Sequence, residues 1–128
     1  MSALEDVDAA DAEWAHQLGP ALSEEDVARL LDRDPEDVAR APGLLRLRQR
    51  EGHERVYPLF QFTAGGQVPG VAEVVTILSP AFVALTIASW LTSHHRQLDG
   101  ARPIDVLRAG GADRVLPLVR QLAADAAP

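Results

Sequence analysis

Between Glu73 and His94 the chain carries no charged side chain, and this run from Val74 to Ser93 constrains the fold more than any other stretch. A segment so long and so apolar either crosses a bilayer or forms the buried centre of a small domain. Ser79-Pro80 breaks it, while Thr76, Thr86, Ser89, Thr92 and Ser93 dilute it. In a chain of 128 residues, no other segment is apolar enough to supply a core. The reading is therefore a buried helical pair with no membrane span. Val71, Val74, Val75 and Leu78 share one face of the first helix. Ser79-Pro80 is expected to cap the second, which runs to about Ser93 and carries Phe82, Leu85, Trp90 and Leu91.

Downstream the pattern stays helical. A loop at 97–101 is followed by a short helix that Pro103 opens, with Ile104, Val106 and Leu107 inside, and that Gly110-Gly111 closes. A last helix over about Asp113 to Ala124 buries Val115, Leu116, Val119 and Leu122, with Pro117 in or just past its first turn. Upstream, Ser23-Glu24-Glu25-Asp26 has the form of a capping box ahead of Val27, Leu30 and Leu31. Asp34-Pro35 starts a second short helix that Ala41-Pro42-Gly43 stops. The period then changes to two: Arg46, Arg48 and Arg50 alternate with Leu45, Leu47 and Gln49, residues 51–54 form a turn, and 55–62 return as a strand that weakens near Pro58. Residues 64–70 read as a linker or broad loop. The fold class expected is mainly α with a small β-hairpin. It divides into an acidic tail or short helix at 1–20, a winged helix-turn-helix-like part at 21–66 and a helical domain at 67–128.

Charge narrows the partners. The net −7 is uneven: residues 1–40 hold twelve acids against three arginines, 41–64 hold four arginines against two acids, and the rest is balanced. Arg46, Arg48, Arg50 and Arg55 are thus the candidate contacts to a phosphate backbone, set against the plainer reading of a solvated hairpin face. Acids at 34, 36 and 37 would repel phosphates from the helix a DNA reader must insert. With no cysteine there is no disulfide, thiolate zinc site or thiol nucleophile, and a reducing cytoplasm is expected. The acidic N-terminus lacks the basic start of a secretion signal. His94-His95 suits the negative end of a helix dipole better than a metal, and His16 and His53 are isolated. No catalytic elbow, carboxylate pair or phosphate cradle is present, so neither an enzyme nor a cofactor is expected.

One ordered set of residues resembles a known family. Trp90-Leu91, then Leu98-Asp99-Gly100, Pro103, Val106-Leu107, Gly110-Gly111 and Val115 follow the pattern of the C-terminal toxin-binding domain of Xre/MbcA/ParS-type antitoxins. The resemblance is close over about the last 45 residues and reaches weakly back to Val71. His94 stands where the family usually has proline, which predicts a less rigid loop. The resemblance implies a non-enzymatic antitoxin that sterically blocks a cognate toxin, of the RES-domain, NAD-consuming kind, as a homodimer or a larger complex. An N-terminal part that contacts operator DNA is implied as well. The toxin-binding residues it implies are Trp90, Leu91, Arg96, Leu98, Asp99, Gly100, Arg102, Pro103, Leu107, Arg108 and Val115. Trp90 has an alternative as a core residue, and Leu98-Asp99-Gly100 as a turn in which Gly100 takes a positive φ and Asp99 caps the Pro103 helix. A DNA-binding regulator acting through the wing and a non-enzymatic adaptor are the rival functions.

Overall fold

The computed structural model describes residues 17–48 and 55–127. The expected tail helix before Gln17, the 51–54 turn, Arg50, His16 and His53 lie outside them. The chain is mainly helical with small antiparallel sheets, in the order β1 (Ala21–Ser23), α1 (Glu24–Leu31), α2 (Pro35–Arg40), β2 (Leu47–Arg48), β3 (Arg55–Pro58), β4 (Phe62–Thr63), β5 (Gly66–Gln67), α3 (Val71–Leu78), α4 (Ala84–Thr92), α5 (Pro103–Arg108) and α6 (Ala112–Ala126). None of the described helices is long and apolar enough to cross a membrane.

Local chemistry explains the N-terminal helices. The Ser23 hydroxyl accepts from the Asp26 amide at 3.1 Å, which satisfies one of the free donors of the first turn. Glu24, Glu25 and Asp26 oppose the positive end of the α1 dipole. The Arg29 guanidinium beside Asp26 holds that carboxyl below the usual carboxylate range, with the Ser23 hydroxyl adding to the effect. Asp32, left-handed at φ 54°, ends the helix. α2 starts on Pro35 after an extended Asp34 whose side chain makes no capping bond.

The expected two-stranded wing is part of a three-stranded sheet ordered β1-β3-β2, with Leu22 opposite Tyr57 and Leu47 opposite Val56. β1 was not foreseen, because the three residues leading into the Ser23 cap are too few to show a period. The strand expected over 55–62 ends at Pro58 and continues as a 3-10 turn over Leu59–Gln61. Residues 64–70 are not a plain linker. β4 and β5 pair Phe62 with Gln67 and Thr63 with Gly66, so a boundary between 66 and 67 would fall inside a hairpin.

Two apolar clusters result. The smaller joins Val27, Ala28, Val38, Leu44, Tyr57 and Phe62. The larger is built on α3 to α6 and takes in Leu18 and Leu45 from the N-terminal side. α4 begins at Ala84 rather than at Pro80. The amides of Ala81 and Phe82 both donate to the Leu78 carbonyl, so Ser79-Pro80 closes α3 instead of opening the next helix. The extended Val83 then serves as N-cap, without a side-chain bond. Pro117 sits inside α6, a full turn beyond the helix start.

Candidate functional site

The segment from Trp90 to Arg108 forms a loop and helix on the outside of the larger core. Its loop is held from both ends. The amides of Leu98 and Gly100 donate to the His95 carbonyl at 3.1 and 2.9 Å, and the His95 amide donates to Ala101 at 3.1 Å. His94, in place of the expected proline, ties the loop through Nδ1, which bonds the Gly100 carbonyl at 2.8 Å. The His95 ring lies 5.0 Å from the Trp90 ring, and its Nε2 bonds the Trp90 carbonyl at 2.9 Å. Both histidines therefore fix backbone, and the described residues contain no metal-ligating cluster.

Asp99 and Gly100 have φ of 57° and 84°. Gly100 takes the positive φ expected of it. Asp99 does not cap the following helix: the N-cap of α5 is Arg102, and the Asp99 carboxylate lies 3.5 Å from Arg114. Arg102 makes a bidentate pair with Asp105, at 2.7 and 3.0 Å, which holds the Asp105 carboxyl below its ordinary range. The guanidinium of Arg108 reaches across to the Phe60 carbonyl and ties α5 to the sheet side of the molecule.

The eleven residues that the resemblance implies for toxin contact thus divide by burial. Leu91, Leu98, Pro103, Leu107 and Val115 are buried, Trp90 and Arg102 are half-buried, and Arg96, Asp99, Gly100 and Arg108 are exposed. The first group belongs to the interior, and the last group is open to solvent. Val115 reaches the interior from α6, where it packs in the same cluster as Leu98 and Leu107.

Among the described wing arginines, Arg48 and Arg55 stand opposite each other across β2 and β3, whereas Arg46 is drawn away from them. Arg46 turns inward: its guanidinium donates to the carbonyls of Val38 at 2.8 Å and Ala41 at 2.6 Å, and its Cζ sits 5.7 Å from the Tyr57 ring centroid. It thereby closes the carbonyl end of α2. Arg55 pairs with Glu24 at 2.6 Å, Arg48 is exposed on β2, and Arg50 lies outside the described residues. The Glu24 carboxylate also accepts from the Tyr57 hydroxyl at 2.7 Å.

Burial pushes the Tyr57 phenol above its ordinary value; Arg46 opposes the shift and Glu24 adds to it. A raised folded-state value means that the contribution to stability is whole below the unfolded value of about 10 and is lost as pH rises through the folded one. Tyr57 is the one tyrosine of a chain without lysine or cysteine, so the titration is clean. Phenolate absorbance near 295 nm should rise at higher pH in buffer than in denaturant. Tyr57→Phe should also flatten the fall in unfolding free energy between about pH 9 and 11. Coincident titrations in buffer and denaturant would contradict this account.

Sequence reasoning missed Gln61. Its side chain is fully buried and bonds both backbone groups of Leu45, with Leu45 N–H to Oε1 at 2.9 Å and Nε2 to Leu45 O at 2.7 Å. The available signal was a single amide inside the apolar run Tyr57-Pro58-Leu59-Phe60-Gln61-Phe62. A polar group there needs partners.

Together these features define a small helical domain whose hydrogen-bonded loop and short proline-started helix form a fixed polar surface over an aliphatic core. Residues 84–124 match the family described as the antitoxin Xre/MbcA/ParS C-terminal toxin-binding domain. The solved structure titled "NMR structure of Rv2175c" is similar at 28% identity and a TM-score of 0.68, over 81% of each chain. A chain of the M. tuberculosis MbcT-MbcA toxin-antitoxin complex aligns at 24% identity and a TM-score of 0.41, over 89% of this chain and 90% of that one. No curated protein sequence matches this chain.

Proposed function

We propose that the chain is the antitoxin of a toxin-antitoxin pair and that its C-terminal domain docks on the cognate toxin and blocks access to the toxin's active site. The observation that carries this reading is the match of residues 84–124 to a toxin-binding domain family. The partner class proposed is a RES-domain, NAD-consuming toxin, as the sequence resemblance implies. The mechanism is steric and needs no catalytic group on this chain. A loop already fixed by His94, His95 and Ala101 loses little conformational freedom on docking, which favours tight binding. Arg96, Asp99, Gly100 and Arg108 lie at the surface, where charges govern encounter and orientation more than final affinity.

Operator binding through the wing is less favoured. Arg46 commits its donors to α2 carbonyls and Arg55 is paired with Glu24, which reduces the cationic footprint that DNA requires.

Co-expression with the product of the adjacent gene tests the reading. The neighbour alone should arrest growth, and this chain should relieve the arrest. Arg96→Glu, which replaces an exposed cation and touches no core residue, should weaken the purified complex about tenfold, mainly by slowing association. A neighbour that is not toxic, or whose toxicity persists unchanged, would remove the antitoxin assignment. An unaltered affinity of Arg96→Glu would remove the loop from the interface.

A further inference from the structure

We propose that the uncharged outer face of α4, headed by Val83, is where two copies of this chain meet as a dimer. Along α4 the buried residues are Ile87, Ala88, Leu91 and Thr92. Leu85 and Ser89, with Thr86 and Trp90, stand on the opposite side at spacings of four residues. Val83, directly before the helix, is 71% exposed and Leu85 is 38% exposed. Two features set this face apart. The first is charge: α4 is the one α-helix of the described chain without a charged residue, and ten of the twelve residues from Ser79 to Trp90 are exposed or half-buried, with no charge among them. The second is a broken local rule. Val83 holds the N-cap position of α4 with an extended backbone and no side-chain bond to the free amides of the first turn. Serine, aspartate or asparagine would satisfy one of those amides, and valine is among the poorest residues there. In the isolated chain this valine gains little from burial and nothing from capping. Apolar side chains held open to water against local preference are what a contact face presents.

Charge decides the occupant. The chain carries a net −7, so two copies repel each other over most of their surfaces. Where each presents only uncharged side chains, that repulsion is least and apolar burial is gained in full. A two-fold axis sets the same patch against itself, so the face needs no second, complementary surface on the other copy. The charged helices serve a partner of opposite charge better, because this face offers it nothing to pair with. Size sets the strength. Ten residues are at most half of the roughly 20–30 that each side of a standard interface supplies, so the dimer is a weak one, with Kd on the order of 10–100 µM. The contact involves no toxin and stands whether or not the chain binds one.

Sedimentation equilibrium of the full-length chain, from about 5 µM to about 1 mM, tests this. The mass should rise from that of one chain towards that of two. Raising salt from about 0.05 M to about 0.5 M should tighten Kd about threefold, as the mutual repulsion is screened. Val83→Asp should weaken the dimer about tenfold or more, because it sets two like charges in the contact. The same change supplies the missing N-cap acceptor and an acid beside the positive end of the helix dipole, so the melting temperature should hold or rise. Loss of the dimer is then not loss of the fold. Leu85→Ser, which removes apolar area without adding charge, should weaken the dimer about fivefold, and it is read in place of Val83→Asp should circular dichroism show that variant disturbed. A mass of one chain at about 1 mM would overturn the proposal, whatever else lies on the face. A dimer that both variants leave intact, or that salt dissolves, would overturn it too, because the contact would then lie elsewhere or rest on charge.

Discussion

Gln61→Leu should lower the unfolding free energy by about 3–5 kcal/mol, although leucine is close to glutamine in size and the site is buried. The amide performs a task that no apolar side chain can take over. Leu45 lies in the link between α2 and β2, where it has no strand partner, and Gln61 accepts from its N–H and donates to its carbonyl. The same Nε2 reaches the Pro58 carbonyl at 3.2 Å, and Gln67 donates to Oε1 at 3.2 Å while bonding the Gly43 carbonyl at 2.8 Å. Replacement strands the Leu45 N–H and carbonyl in a dry interior, at about 1–3 kcal/mol each, and hydrophobic gain offsets only part of that. Leu45 belongs to the larger cluster whereas the neighbouring Leu44 and Phe62 belong to the smaller, so the loss falls where the two cores meet. Urea unfolding checks it: the midpoint should fall with little change in slope, and a loss under about 1 kcal/mol would refute this account.

Helix boundaries set by one or two residues were legible in the sequence. Ser23, Pro35, Pro103 and Gly110 act through bonds or dihedral limits within a single turn, and each stands where it was expected. Features that depend on distant partners were not. β1 exists because β3 supplies its hydrogen bonds, and Ser79-Pro80 closes a helix because the Leu78 carbonyl is available to the two amides after it. Alternation suggested that Arg46 faces solvent, but a long cationic side chain goes where carbonyls have a lone pair to spare, and the end of α2 supplied two, at Val38 and Ala41.

The candidate surface was legible to a similar degree. Family-like positions such as Leu98, Leu107 and Val115 were found, yet a domain pattern mixes residues that build the surface with residues that meet a partner. Burial sorts those positions by exposure alone: Leu98, Leu107 and Val115 lie inside, while Arg96, Asp99, Gly100 and Arg108 are exposed. The rigidity of that face follows from His94 and His95, whose ring nitrogens both bond main-chain carbonyls, a role that residue type alone does not reveal.

Gly70→Ala should cost about 2–5 kcal/mol, the second large effect, and it arises in a position that looks like the end of a linker. Gly70 has φ 96° and stands at the N-cap of α3, so its carbonyl accepts from the Val74 amide at 3.1 Å while its backbone turns the chain into the helix. An alanine there pays about 1–2 kcal/mol for the left-handed conformation alone. A Cβ at this site would also lie 2.7 Å from Leu107 Cδ2 and 3.2 Å from Ala112 Cβ. Leu107 is buried on α5 and Ala112 begins α6, so the methyl group would wedge apart the start of α3 and the α5–α6 junction, adding about 1–3 kcal/mol of overpacking. In a domain of this size the melting temperature should fall by roughly 10 °C or more. Leu107→Ala tests the packing part separately. By itself it should destabilise through a cavity, but combined with Gly70→Ala it should cost less than the two losses added, because the shortened side chain makes room for the new methyl group. Strict additivity would show that the conformational strain at φ 96° carries the whole effect and that α3 does not press on α5 at this point.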